Sequence, residues 1–243
     1  SEFRRARESA EEALTRDPRS GWATSALIHA MRGEGQWRKE RGLDAKAILE
    51  QALSRASQAL DLLPYLGSMW YLRAITRRDC ADILPRGEDP APRLREAIED
   101  LDKTLELNPM FLEGLRLRAT LHRRLALTGH DPERAFEAGL ADLERAFQID
   151  PALRKTLGNF HQERAVILLG QGAHRQGSGG DAAASFRAAR DAAETALTIN
   201  ASHPDFRKLR GRALVALGEF AAGIAEYDRI IKENFDRAVG TGR

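Results

Sequence analysis

A single cysteine, Cys80, stands in the 243 residues, which excludes an internal disulfide framework. It falls near the end of an expected helix, where a small buried thiol is the expected state. Aromatic residues make up only 6%, few for a surface that stacks nucleic-acid bases. The net charge of +2 is too small for a dedicated nucleic-acid binder. Lysine is scarce beside arginine, six against 32, an imbalance that genome composition explains without any recognition chemistry. No run approaches the roughly 20 apolar residues of a membrane-spanning helix, and the N-terminal segment lacks the form of a secretory signal. The expected location is therefore cytoplasmic, with no membrane partner. Alternating β-branched runs long enough for a strand are also missing, so the expected class is all-α.

Catalytic patterns are absent too. The six histidines, at positions 29, 122, 130, 161, 174 and 203, form no H-E-x-x-H or Cys/His metal pattern. Gly177-Ser-Gly-Gly180 precedes a helix but lacks the Lys-Ser/Thr ending and the strand of a phosphate loop, so it reads as a flexible turn. Carboxylates are abundant, mostly at helical spacing with arginine, as in Glu12 and Arg16; this is the pattern of solvated helix faces. No enzyme activity, cofactor or metal is expected.

What the chain does contain is repetition. Helices rich in Ala and Leu run into short polar stops at Asp17-Pro18, Leu63-Pro64, Asn108-Pro109, Asp150-Pro151 and, with alanine for proline, Asn200-Ala201. Proline lacks the N–H and restricts the residue before it, so a helix ends there. The stops recur at 46, 45, 42 and 50 residues. Helix pairs are expected over Trp22–Gly33 with Ala45–Leu62, Ser68–Ile83 with Ala91–Leu107, and Phe111–Leu127 with Pro132–Ile149. Two more are expected over Ala152–Leu169 with Asp181–Ile199 and Pro204–Leu217 with Phe220–Asn234. Leu94, Ile98, Leu101 and Leu105 recur at three and four residues, a helical stripe. Ala152–Leu169 reads as one long helix.

Gly211 to Tyr227 carries small residues at Gly211, Ala213, Gly218 and Gly223, with rings at Phe220 and Tyr227. The segment resembles the middle of a tetratricopeptide (TPR) repeat, a 34-residue helix–turn–helix unit. The resemblance implies a right-handed α-solenoid of stacked antiparallel helix pairs, one domain over residues 1–243. Residues 1–18 would be a partial repeat or capping helix. Lengthened repeats would span 19–64, 65–109, 110–151 and 152–203, with a standard repeat at 204–237 and a tail at 238–243. The extra residues are expected between the first and second helix of each lengthened repeat, near Gln36–Ala47, Asp82–Pro92, Leu127–Arg134 and Leu169–Ala184. Arg73 and Arg210 depart from the leucine usual at the seventh repeat position.

The resemblance also implies a concave groove lined by first helices. Its contact positions map to Trp22, Ser25, His29 and Arg32, then Tyr71, Ile75 and Arg78, then Arg116, Thr120, Arg123 and Arg124. Lys155, Gly158 and Gln162, then Lys208 and Arg212, follow. Cations predominate, and arginine grips carboxylates in two-pronged geometry. The expected function is a non-enzymatic scaffold binding an acidic or C-terminal peptide segment, as a regulatory region of a larger bacterial signalling protein. The alternative is RNA binding by the arginine-rich face. Arg116 and Asn159 partly match a clamp for terminal carboxylates, but Thr120 and Asp205 depart from it and no clamp is assigned. Self-association is expected, if anywhere, at Ile224, Tyr227, Ile230, Ile231 and Phe235 of the final helix.

Overall fold

The computed structural model describes residues 2–240, with side chains through Phe235. Among these residues there are twelve helices and no strand. They form two compact units that divide between Thr128 and Gly129. The first holds α1 (Glu2–Arg16), α2 (Gly21–Glu40), α3 (Lys46–Leu62), α4 (Gly67–Ala81), α5 (Ala91–Leu107) and α6 (Leu112–Ala126). The second holds α7 (Pro132–Ile149), α8 (Leu153–Thr156), α9 (Gly158–Gly177), α10 (Ala183–Ile199), α11 (Pro204–Ala216) and α12 (Phe220–Gly240).

Within each unit the helices pack mainly on their sequence neighbours, and α2 also touches α4, α4 touches α6, and α9 touches α11. That near-neighbour pattern is how a repeat array buries its core without a single centre. In the first unit a continuous apolar core runs from Ala10 on α1, through Leu27 and Ile28 on α2, to Leu117 and Leu121 on α6. The polar stops act by a defined bond: side-chain oxygens of Asp17, Asn108, Asp150 and Asn200 each accept the N–H two residues on, at 2.9–3.3 Å. This local turn competes with the helix and ends it. Gly211 and Gly223 face each other across α11 and α12. A Cβ on Gly223 would lie 2.6 Å from Val215 and 3.1 Å from the Gly211 carbonyl, so only glycine permits this approach.

The first helices begin at Gly21, Gly67, Leu112, Gly158 and Pro204, at intervals of 46, 45, 46 and 46 residues. This rhythm is more even than that of the stops, because Ala152–Leu169 is not one helix. It breaks at Leu157 (φ −119°, ψ 92°), leaving α8 as a single turn before α9. The break seats Gly158 under the Phe206 ring, where a Cβ would come within 2.7 Å. The pattern of Leu153, Leu157 and Phe160 carried no sign of the break. The inserted residues are accommodated in two ways. After α2 and α9, both 20 residues long against 13 for α11, most become extra helical turns; after α4 they form the loop from Asp82 to Pro90. Residues 178–180 of the glycine run form the turn after α9, with Gly179 at φ 77°, a left-handed conformation that suits glycine.

Candidate functional site

Five residues hold the fifth place of their first helices: Ser25, Tyr71, Arg116, Gln162 and Lys208. The twelfth place holds Arg32, Arg78 and Arg123 in the first unit, but Leu169 and Val215 in the second. The cationic cluster is therefore a property of α2, α4 and α6.

Asp79, 3% exposed, organises this cluster. Arg32 donates to its Oδ2 through Nε at 2.8 Å, with Nη2 at 2.7 Å. Arg78 donates to Oδ1 through Nη2 at 2.8 Å and Nε at 3.2 Å. One carboxylate thus serves two guanidiniums from successive first helices. Asp82 repeats the arrangement, with Arg124 at 2.5 Å and Lys39 at 3.4 Å. Arg116 pairs with Glu113 at 2.7 Å, and Thr120 donates its hydroxyl to the Arg116 carbonyl at 3.0 Å. Arg123 is half-buried on the same helix.

Tyr71 stands among these charges. Its ring meets Phe111 edge-on at 5.0 Å, a partner the sequence pattern did not single out. Burial raises the phenol pKa, as does Glu113, while Arg116, Arg78 and Arg32 act to lower it. Guanidiniums from α2, α4 and α6 therefore all act on one phenol. Between α2 and α4 a cleft of about 190 Å³ is lined by Gln36, Lys39, Glu40, Leu49, Arg78, Asp79 and Asp82. It is smaller than the roughly 300–1,000 Å³ of small-molecule sites, and of a size for one inserted side chain. Six cations (Arg32, Lys39, Arg78, Arg116, Arg123, Arg124) stand with four carboxylates (Glu40, Asp79, Asp82, Glu113) on this face.

Other expected groove residues are placed differently. Arg32 is buried in its ion pair, so it organises the face and is not a free contact. Trp22, 87% exposed, projects from the first turn of α2, which Ser20 caps through the Ala23 N–H at 3.3 Å. His29 approaches Arg32 at 3.4 Å, and its pKa is lowered by burial and by that guanidinium. Ser25 is half-buried and Ile75 buried. Because α9 begins at Gly158, Lys155 lies on α8, ahead of the groove helix, and Gly158 is buried. Asn159 is the second residue of α9 and Arg116 the fifth of α6. Gln162, Lys208 and Arg212 are at least partly exposed on α9 and α11.

The departures at the seventh position have a structural account. Arg73 grips buried Asp100 with Nη2 at 2.6 Å, and Arg210 grips buried Glu226 at 2.6 Å. Each reaches the second helix of its own pair, replacing a leucine contact by a charge pair. Cys80 is fully buried, and burial pushes its thiol up to about 11. No group of three or more His, Cys, Asp or Glu among the described residues is arranged to hold a metal, and none of the described helices is long and apolar enough to cross a membrane.

No family model and no curated protein matches the sequence. Solved structures do match. A tetratricopeptide repeat protein from Parabacteroides merdae is 14% identical at a TM-score of 0.62, covering 95% of this chain and 73% of that one. YrrB, described as a TPR protein with an unusual peptide-binding site, is 13% identical at 0.56, covering 93% of each chain. Human IFIT1, solved as a dimer with m7Gppp-AAAA, is 15% identical at 0.63, covering 94% of this chain and 45% of that one. The fold is thus an all-α helical repeat of the TPR kind. At these identities the likeness establishes the fold alone.

Proposed function

We propose that the chain is a non-enzymatic interaction scaffold whose α2/α4/α6 face binds an acidic peptide segment, with the ligand carboxylate held between Arg78 and Arg116 beside Tyr71. The observation that carries this reading is that Arg78 must share Asp79 with Arg32, while Arg116 on the neighbouring first helix bears with it on the same Tyr71 phenol. A ligand carboxylate would complete the pairing, and charge-assisted bonds to arginine are the strong ones. Tyr71 supplies an apolar wall with a phenolic hydroxyl at the same place. Likeness to YrrB, a TPR protein with an unusual peptide-binding site, agrees with a groove used for peptides.

The test is fluorescence anisotropy with a labelled Glu-rich peptide, carrying a free or an amidated C-terminus. Binding is expected to weaken by about tenfold in Arg78→Met and again in Arg116→Met, since a charged hydrogen bond is worth ~1.5 kcal/mol or more. Lys208→Met on α11 should leave affinity unchanged. Equal affinity of the folded Arg78→Met/Arg116→Met protein would end this assignment. The RNA reading draws on the same arginines and on the likeness to IFIT1. It predicts tighter binding of a single-stranded oligonucleotide, with affinity falling steeply as salt rises.

A further inference from the structure

The final helix carries an apolar stripe that the other described residues of its unit leave exposed. Phe220 is 61% exposed, Ile224 56%, Ile231 66% and Phe235 66%. At about 100° per residue these four fall within roughly 60° of one another, over about 22 Å of helix. The core-facing side of α12 is different. Gly223 and Glu226 are buried and Tyr227 and Ile230 half-buried, with Tyr227 against Gly211. Tyr227 and Ile230 thus pack within the unit, while Ile224, Ile231 and Phe235 do not. Thirty-four residues upstream, α10 shows what such positions do inside the array: Leu197, 8% exposed, is covered by Phe206 of the next helix. Its counterpart Ile231 has no such cover among the described residues.

The stripe reads the same in both directions. Phe220 and Phe235 lie equally far from the midpoint between Tyr227 and Asp228, and so do Ile224 and Ile231. An antiparallel copy of the same helix therefore sets Phe220 on the partner's Phe235 and Ile224 on the partner's Ile231. A two-fold interface requires this self-complementarity. Head-to-tail stacking lacks it, because the exposed residues of α1 include Arg4, Glu8, Glu11, Glu12 and Arg16, which would desolvate charges against the stripe.

We propose that α12 is a homodimerisation face, on which two copies pair antiparallel about the point between Tyr227 and Asp228. The four side chains expose on the order of 450 Å² per copy, short of the ~800 Å² of a standard interface. The dimer is accordingly weak, dissociating in the micromolar range.

Sedimentation equilibrium of the whole chain, from about 1 to about 300 μM, tests this together with helical circular dichroism. The wild type should pass from monomer to dimer across that range. Ile224→Lys and Ile231→Glu should each weaken the dimer at least tenfold, with unchanged melting and unchanged affinity for the acidic peptide. Mixing the two variants should restore a dimer, since the introduced ammonium and carboxylate meet across the two-fold while the other Ile224–Ile231 contact is intact. A wild type that is monomeric throughout would overturn the proposal and leave the stripe to another occupant. So would a dimer indifferent to Ile231→Glu, or a mixture no stronger than either variant alone.

Discussion

The first helices of the two units share spacing and differ in chemistry. Their twelfth residues are Arg32, Arg78 and Arg123 in one unit and Leu169 and Val215 in the other. In the first unit, neighbouring first helices are joined by carboxylates that each serve two cations, Asp79 between Arg32 and Arg78 and Asp82 between Lys39 and Arg124. In the second, α9 and α11 meet around apolar contacts such as Ala165, Leu209 and Ala213. Both solutions hold adjacent pairs together, one by shared charges and the other by apolar packing.

The largest expected effect tests the ionic solution directly. Asp79→Ala strands Arg32 in a buried site without its counter-charge, which costs about 3–5 kcal/mol. Chemical denaturation should show that loss, and Arg32→Met added to Asp79→Ala should recover much of it. If the double variant is no more stable than the single one, Asp79 is not holding α2 to α4 through this pair. In the second unit the corresponding weak point is steric. Gly158→Ala pushes a Cβ against buried Phe206, costing about 1–3 kcal/mol, and a melting temperature equal to wild type would mean the α8–α9 break can open without strain.

Protonation offers a smaller contrast. His161, stacked on Phe147 at 5.0 Å, has its pKa lowered mainly by burial, opposed by its hydrogen bond to the Arg154 carbonyl and assisted by the charges of Arg164 and Arg154. A folded pKa below the unfolded value means the unfolded chain binds the extra proton first. The stabilisation is full above the unfolded pKa of about 6.5 and fades as pH falls through the lowered folded value. Melting should therefore drop from about pH 7 to about pH 5, and His161→Gln should flatten that slope. The smallest effect is at Cys80, whose thiol near 11 and full burial predict no reaction with a thiol reagent at about pH 8 until the chain is unfolded. Rapid native labelling would show that the first unit opens around α4.

Much of the helical order was legible because it rests on local rules. The Asn-Pro and Asp-Pro stops carry their own hydrogen bonds, and Leu94, Leu101 and Leu105 face one way by helical geometry alone. The α8–α9 break was not legible, since the packing of Gly158 on Phe206 joins residues nearly fifty apart and leaves no local pattern. The site shows the same division. Arginines were visible as a cluster, but not that Arg32 is consumed by Asp79 while Arg78 shares it, nor that Tyr71 leans on Phe111. Those depend on side chains from different helices.

By itself the sequence determined that this chain is an all-α helical repeat, where its second helices stop, and which faces are apolar, because periodicity and turn chemistry act over a few residues. Tertiary structure decided the even spacing of first helices, the pairing of Arg73 and Arg210 with buried carboxylates, and which cations share a counter-charge. It also decided which face of α12 stays uncovered. Each of these depends on distances between residues far apart in sequence, and packing is what brings them together.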